Sequence, residues 1–271
     1  MEYTEKKQSL LQYLSERLTE DTAVAFSGGA DSSLLLKICC DQAKKTGSKV
    51  YAITLHTMLH PTTDLEIAGR VAEEVGAIHL VLHIDELSEA GIRFNPVDRC
   101  YLCKKCLFRK LQEKAKEYGV RQILEGTNAD DLKVYRPGIR AVRELGVLSP
   151  LAEYGFTKEE VRQLAEEYQI SVANRPSTPC MATRFPYGTE LSYDRIKDVE
   201  SGEKWLREKG FYNVRLRVHD RIARIEVDKE SMESLITIRE EIIQELSRYG
   251  YDFITLDLMG FRSGSMDIHL K

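Results

Sequence analysis

The chain has 271 residues, of which 30% are charged and 42% hydrophobic, with a net charge of −4. That is the balance of a globular protein with length for one large domain or two modest ones, and it argues against a general nucleic-acid binder, which carries a basic surplus. No apolar run approaches the roughly 20 residues of a membrane span, and the charged start Met1-Glu2-Tyr3-Thr4-Glu5-Lys6-Lys7 has no signal-peptide core, so a cytoplasmic protein is expected. In a reducing compartment the six cysteines are core residues, metal ligands or reactive thiols, not a disulfide framework.

An amphipathic helix opens the chain, with Leu10, Leu11, Leu14 and Leu18 on one face. From Thr22 to about Pro150, β-rich apolar runs alternate with helical patterns. The strands are expected at Ala23–Phe26, Val50–Leu55, Leu80–Ile84 and Gln122–Glu125, and the helices near Ser32–Lys44, Asp64–Val75 and Lys104–Tyr118. This rhythm implies right-handed βαβ units and an α/β fold, a doubly wound parallel sheet whose ligand crevice lies beyond the strand C-termini. A helix over Lys158–Tyr168 starts at the capping box Thr157-Lys158-Glu159-Glu160. The stretch from Ser171 to Gly188 is rich in Pro, Ser, Thr and Arg and reads as a long functional loop or linker. Beyond it come a helix at Asp194–Lys209, strands at Val214–Val218 and Ala223–Val227, a helix at Met232–Tyr249, and strands at Phe253–Leu258 and Met266–Leu270. That order is α+β, so the expected division is 1–175 and 176–271, the second and smaller domain opening with the Cys180 loop.

Ser27-Gly28-Gly29-Ala30-Asp31-Ser32-Ser33 joins the first strand to the next helix. Two glycines let the backbone turn tightly, successive N–H groups converge, and the helix N-terminus adds its positive dipole end, so the turn suits phosphate. Ser27, Ser32 and Ser33 add hydroxyl donors. No lysine follows the glycines, which excludes the G-x-x-x-x-G-K-[ST] loop, and the spacing is not G-x-G-x-x-G. A helix cap at Asp31 and Ser32 is the plainer reading. Two further strand ends face the same edge: Thr54-Leu55-His56, and Glu125-Gly126-Thr127-Asn128-Ala129-Asp130-Asp131. Asp130 and Asp131 suit ribose, Mg²⁺ or an activated substrate, or are turn-forming residues.

Cys100-Tyr101-Leu102-Cys103-Lys104-Lys105-Cys106 carries two overlapping C-x-x-C spacings at a helix start. Soft ligands without a nearby histidine fit an iron–sulfur cluster or a Cys-only zinc site better than a catalytic zinc, while a redox pair or simple burial is the alternative. Cys180 lies between Pro176, Pro179 and Arg184 in the junction loop, where Arg175 and Arg184 favour a thiolate, or it is a small residue packed under a loop. Cys39 and Cys40 fall inside an apolar helix face and read as packing. Arg215-x-Arg217-x-His219 alternates along a strand, so its three side chains share a face suited to anion capture or to solvent. Glu203 and Glu226 are candidates for a divalent ion, or surface carboxylates.

The SGGADSS turn is similar to the pyrophosphate loop of the PP-loop ATP pyrophosphatases, the adenine nucleotide alpha hydrolase-like enzymes that split ATP into AMP and pyrophosphate. The full set, which adds Arg99-Cys100-Tyr101-Leu102-Cys103-Lys104, Glu125-Gly126-Thr127-Asn128, the Arg175–Gly188 loop, Arg215-Leu216-Arg217 and Ala223-Arg224-Ile225-Glu226-Val227, resembles the LarE family of ATP-dependent sulfur transferases. The resemblance implies ATP and Mg²⁺ as cofactors, with Ser27, Gly28, Gly29, Asp31, Ser32, Ser33 and Gly126 at the nucleotide. It implies a carboxylated pyridinium mononucleotide as substrate, in synthesis of a nickel-pincer nucleotide cofactor. Arg184, Arg215 and Arg217 then face the substrate and Glu203 a metal. In that family a cysteine matching Cys180 either gives up its sulfur and becomes dehydroalanine, or joins two others in holding a 4Fe-4S cluster that carries an extra sulfide. Cys100 and Cys103 beside Cys180 favour the cluster form, and Cys106 has no assigned role. A homo-oligomer is expected, without nucleic-acid or membrane partners. Two other readings compete. A PP-loop tRNA thiolase would be supported by a basic RNA-binding module, which the net charge of −4 does not suggest. A regulatory nucleotide-binding module predicts that Cys180→Ser changes no activity and leaves Cys100 and Cys103 unexplained.

Overall fold

Leu10, Leu14 and Leu18 are fully buried, and they seat α1 (Tyr3–Arg17) on one face of a parallel sheet. The computed structural model describes residues 2–134, 136–176 and 178–262. After α1 come β1 (Thr22–Ala25), α2 (Ala30–Thr46), β2 (Val50–His56), α3 (Thr62–Val75), β3 (Ile78–His83), the single turn α4 (Glu86–Glu89), α5 (Arg99–Glu117), β4 (Gln122–Glu125), α6 (Pro137–Glu144), the single turn α7 (Pro150–Glu153) and α8 (Lys158–Glu167). The strands stand in the order β3-β2-β1-β4, all parallel.

Side chains alternate across a strand, and here both faces are buried. Val24, Val50 and Ala52 pack with α1, α2, α3 and α8, through residues such as Leu34, Val71 and Leu164. Ala23, Tyr51 and Ile53 point the other way, into Phe108, Leu111 and Ala115 of α5 and Val142 of α6. The sheet is therefore doubly wound, as its apolar runs predict. The chain steps outward from β1 to β3 and then returns to place β4 on the other side of β1. Between β1 and β4 the winding reverses, and ligands bind such sheets at that switch point, beyond the strand C-termini.

The contacts divide the chain into two compact units: Met1–Ile92 with Asp98–Thr178, and Arg93–Val97 with Pro179–Lys271. The short segment Arg93–Val97, embedded in the first half of the sequence, is a part of the second unit that no shift in composition announces. The second unit holds α9 (Tyr193–Glu208), β5 (Arg215–His219), β6 (Ile222–Glu226), α10 (Met232–Thr237), α11 (Arg239–Leu246) and β7 (Phe253–Leu256). Its sheet runs β5-β6-β7, with β5 antiparallel and β7 parallel to β6. The single helix expected over Met232–Tyr249 is two, parted at Ile238, and the strand expected to end at Leu258 ends at Leu256. The strand expected at Met266–Leu270 lies outside the described residues.

Candidate functional site

Gly28 sits at φ 70°, a left-handed backbone that glycine alone adopts freely, and it lets the chain turn out of β1 into α2. A Cβ there would stand 3.0 Å from the backbone Cα and N of Ala68 on α3. Gly29 is the N-cap of α2, and Ser33 N donates back to its carbonyl at 2.9 Å. The Ser27 and Ser32 hydroxyls lie 3.1 Å apart, and Ser32 Oγ also donates to Gly29 O at 3.2 Å. Ser33 Oγ is buried with no hydrogen-bond partner among the described residues. From the end of β4, Gly126 packs against this first helical turn so closely that a Cβ would meet Ser32 N at 2.8 Å. The structure thus gathers Ser27, Gly28, Gly29, Asp31, Ser32, Ser33 and Gly126 at the switch point. Gly28→Ala is expected to cost at least ~1–2 kcal/mol from the left-handed backbone alone. A thermal midpoint equal to wild type would refute it.

Two cations that the sequence did not connect to this turn also belong to the first unit. Lys158, the first residue of α8, places Nζ 2.5 Å from Asp31 Oδ2, and Asn128 Nδ2 donates to Asp31 Oδ1 at 3.4 Å. The capping box at Thr157 forms as expected and sets the start of α8, and Lys158 N donates to Asp130 Oδ2 at 2.8 Å. Arg175 reaches back to donate to Gly28 O at 3.4 Å and pairs with Asp64 of α3. It thus ties the end of the first unit to its glycine turn and to α3. Asp130 and Asp131 donate their backbone N–H groups to Asn128 Oδ1, so the Asn128 side chain closes the turn that carries them.

Cys39 and Cys40 are buried in α2, and burial pushes the Cys40 thiol up to about 11, as packing residues require. Cys100, Cys103 and Cys106 lie on the first turns of α5, Cys100 exposed and the other two half-buried. Arg99 Nη2 lies 3.7 Å from Cys100 Sγ, and burial raises the Cys106 thiol. Among the described residues no group of three or more His, Cys, Asp or Glu side chains is placed to hold one metal ion.

In the second unit, half-buried Cys180 caps a 3₁₀ turn, Met181–Arg184, that Arg184 ties together. Arg184 Nη1 donates to the carbonyls of Pro179 and Cys180, at 3.2 and 3.3 Å, and to Thr183 Oγ1 at 3.0 Å. Its Nε and Nη2 grip both oxygens of Glu203, at 2.8 and 2.9 Å. Both partners are buried. Glu203 also accepts from Leu216 N at 3.0 Å and Arg207 Nη1 at 3.4 Å. These contacts correct two expectations. Glu203 spends its acceptor capacity on arginines and a backbone N–H, leaving none for a metal. Arg184, buried and bonded through all three of its nitrogens to Glu203 and to the Cys180 turn, is the clamp of that loop rather than a substrate ligand. Arg217 is corrected likewise, for it is buried, pairs with Glu226 at 2.9 Å and donates to Thr183 O at 2.8 Å. Glu226, fully buried between Arg217 and Arg224, is not a surface carboxylate. Arg215 differs: it donates to Val214 O at 2.7 Å, lies over the Phe261 ring, and has no carboxylate partner among the described residues. Burial, with the charges of Arg184, Arg217 and Arg207 and against that of Glu203, pushes its guanidinium down to about 10.

A glycine turn of this form after the first of four parallel strands, facing the switch point, defines a PP-loop nucleotide-binding protein, and the PP-loop domain family matches residues 2–142. The chain is 36% identical to a pyridinium-3,5-bisthiocarboxylic acid mononucleotide synthase of Lactiplantibacillus plantarum, over 97% of this chain and 94% of that one. It is 34% identical to an uncharacterized protein of Synechocystis over 97% of both chains. A tRNA-specific 2-thiouridylase of Rickettsia bellii is 28% identical over 69% of this chain and 60% of its own. The chain belongs to the LarE family of the PP-loop ATP pyrophosphatases. No helix among the described residues is long and apolar enough to cross a membrane.

Proposed function

We propose that the chain is an ATP-dependent sulfur transferase that converts a carboxylate of a pyridinium mononucleotide into a thiocarboxylate, in nickel-pincer cofactor synthesis. The observation that carries this reading is the likeness to the pyridinium nucleotide synthase, which extends through both units where the thiouridylase likeness covers 69% of the chain. The glycine turn at the switch point supports the first half-reaction. The substrate carboxylate attacks the α-phosphorus of ATP, pyrophosphate leaves, and an acyl adenylate remains. Backbone N–H groups at the glycine turn and the start of α2, the serine hydroxyls and Lys158 hold the phosphates, and Mg²⁺ arriving with ATP fits the Asp31 carboxylate. Arg215, which alone of the three candidates Arg184, Arg215 and Arg217 has no carboxylate partner among the described residues, takes an anionic group of the substrate.

In the second half-reaction a sulfur nucleophile attacks the acyl carbon and AMP leaves. The sequence favours a 4Fe-4S cluster on Cys100, Cys103 and Cys180 as the sulfur source. The other route runs through Cys180 alone, at the head of the turn that Arg184 holds. Its thiolate forms a thioester with the acyl group. Loss of the Cys180 Cα proton and cleavage of its Cβ–S bond then release the thiocarboxylate and leave dehydroalanine. Cytoplasmic location and self-association are part of the proposal and rest on sequence alone.

Anaerobic purification with iron and sulfide counts, then intact-mass analysis after reaction with ATP and substrate, separates the routes. Loss of one H₂S equivalent at Cys180 without iron is expected for the sacrificial route. Iron with an unchanged mass after turnover establishes the cluster route. Absence of AMP and pyrophosphate under any condition sinks the whole reading.

A further inference from the structure

Asn95 has no part in the chemistry above, yet it is fully buried and its φ is 46°. Its Nδ2 donates to the carbonyls of Phe185, at 3.0 Å, and Pro186, at 2.8 Å. Its own carbonyl accepts from Gly188 N at 3.0 Å, Arg93 O accepts from Leu191 N at 2.7 Å, and Arg93 pairs with Glu190 at 2.9 Å. Arg93–Val97 therefore runs as a strap along residues 185–191, all within the second unit.

A left-handed backbone is uncommon outside glycine, with Asn among the residues that tolerate it, and Pro96 restricts its predecessor further. Such a conformation persists where its surroundings over-determine it. The side chain explains the residue type. Asn offers two amide protons to two carbonyls, ionised Asp offers none, and Gly accepts the backbone without supplying a donor. The two carbonyls lie directly after the turn that Cys180 caps. Arg184 and Arg217 fix that turn from within, through the carbonyls of Pro179, Cys180 and Thr183. Asn95 fixes its outgoing end.

We propose that Asn95 is a positioning residue for the sulfur-transfer half-reaction, holding the Cys180 loop in its reactive shape and taking no part in adenylylation. This rests on the reading of Cys180 as the thiol of that half-reaction. The test compares wild type with Asn95→Gly, which keeps the backbone and removes the donor, and Asn95→Asp, which keeps the shape and reverses the polarity. In a single turnover, pyrophosphate release is expected to stay within about twofold of wild type, while thiocarboxylate formation falls about tenfold or more. A second readout does not need the substrate. Iodoacetamide alkylation of Cys180, followed by peptide mass, is expected to change several-fold while Cys100 and Cys103 react as before. The proposal is overturned if Cys180 alkylates at the wild-type rate in both variants, or if pyrophosphate and product fall together as general destabilisation requires. Were wild type to release no pyrophosphate at all, the functional reading would fail and the alkylation rates would still decide the role of Asn95.

Discussion

Glu203→Gln is expected to destabilise the second unit by about 3–5 kcal/mol, the loss typical when one partner of a buried ion pair is removed and the other charge stays behind. Both members are nearly inaccessible, Arg184 2% exposed and Glu203 1%. A glutamine at 203 offers a single acceptor oxygen where two oxygens now take four hydrogen bonds, and its NH₂ group would face guanidinium donors. Trp205, the sole tryptophan, lies on the same helix as Glu203, so its fluorescence during urea unfolding reports on this unit. An unchanged midpoint would show that the pair contributes nothing net. The pH dependence follows from the direction of the shift. Burial alone raises the Glu203 carboxyl, but the charge and hydrogen bonds of Arg184 outweigh it and hold the group below its ordinary range. A carboxyl with a depressed folded value contributes fully above its unfolded value and loses that contribution as pH falls through the folded one. The difference between wild type and Glu203→Gln is therefore largest near neutrality and shrinks below about pH 4.

This pair also shows where sequence reading stops. The parallel sheet was legible because strands buried on both faces read as continuous apolar runs, and the glycine turn because its chemistry is local. Gly126 was nameable from its place at a strand end, although the 2.8 Å approach that demands glycine appears only when the strands stand side by side. The period of a strand puts Arg215, Arg217 and His219 on one face, but the period does not say whether water or buried carboxylates meet them. Arg217 meets Glu226 and Arg215 meets no carboxylate among the described residues, and two positions in one strand thus diverge in role. Arg93–Val97 carries no motif at all. Its place in the second unit depends on hydrogen bonds to residues about ninety positions later, such as Asn95 to Phe185.

Lys158→Ala is expected to lower kcat/KM for pyrophosphate release by about 10²–10³, the range for losing one preorganised charge partner of a reacting oxyanion. The turn after β1 has no lysine of its own, and an ammonium group from residue 158 reaches its Asp31 at 2.5 Å. Before ATP arrives, the two charges satisfy each other. Triphosphate and Mg²⁺ would exchange that pairing for two new ones, the ammonium with phosphate oxygens and the carboxylate with the metal. The pair is partly solvated, with side-chain exposures of 31% and 23%, so its worth to folding is at most ~1 kcal/mol. A large kinetic loss with a nearly unchanged melting temperature is the expected signature. Lys158→Arg keeps the charge but changes the donor geometry, so it should recover part of the rate. A pyrophosphate rate for Lys158→Ala within about twofold of wild type would leave Lys158 as the surface partner of Asp31 and no more.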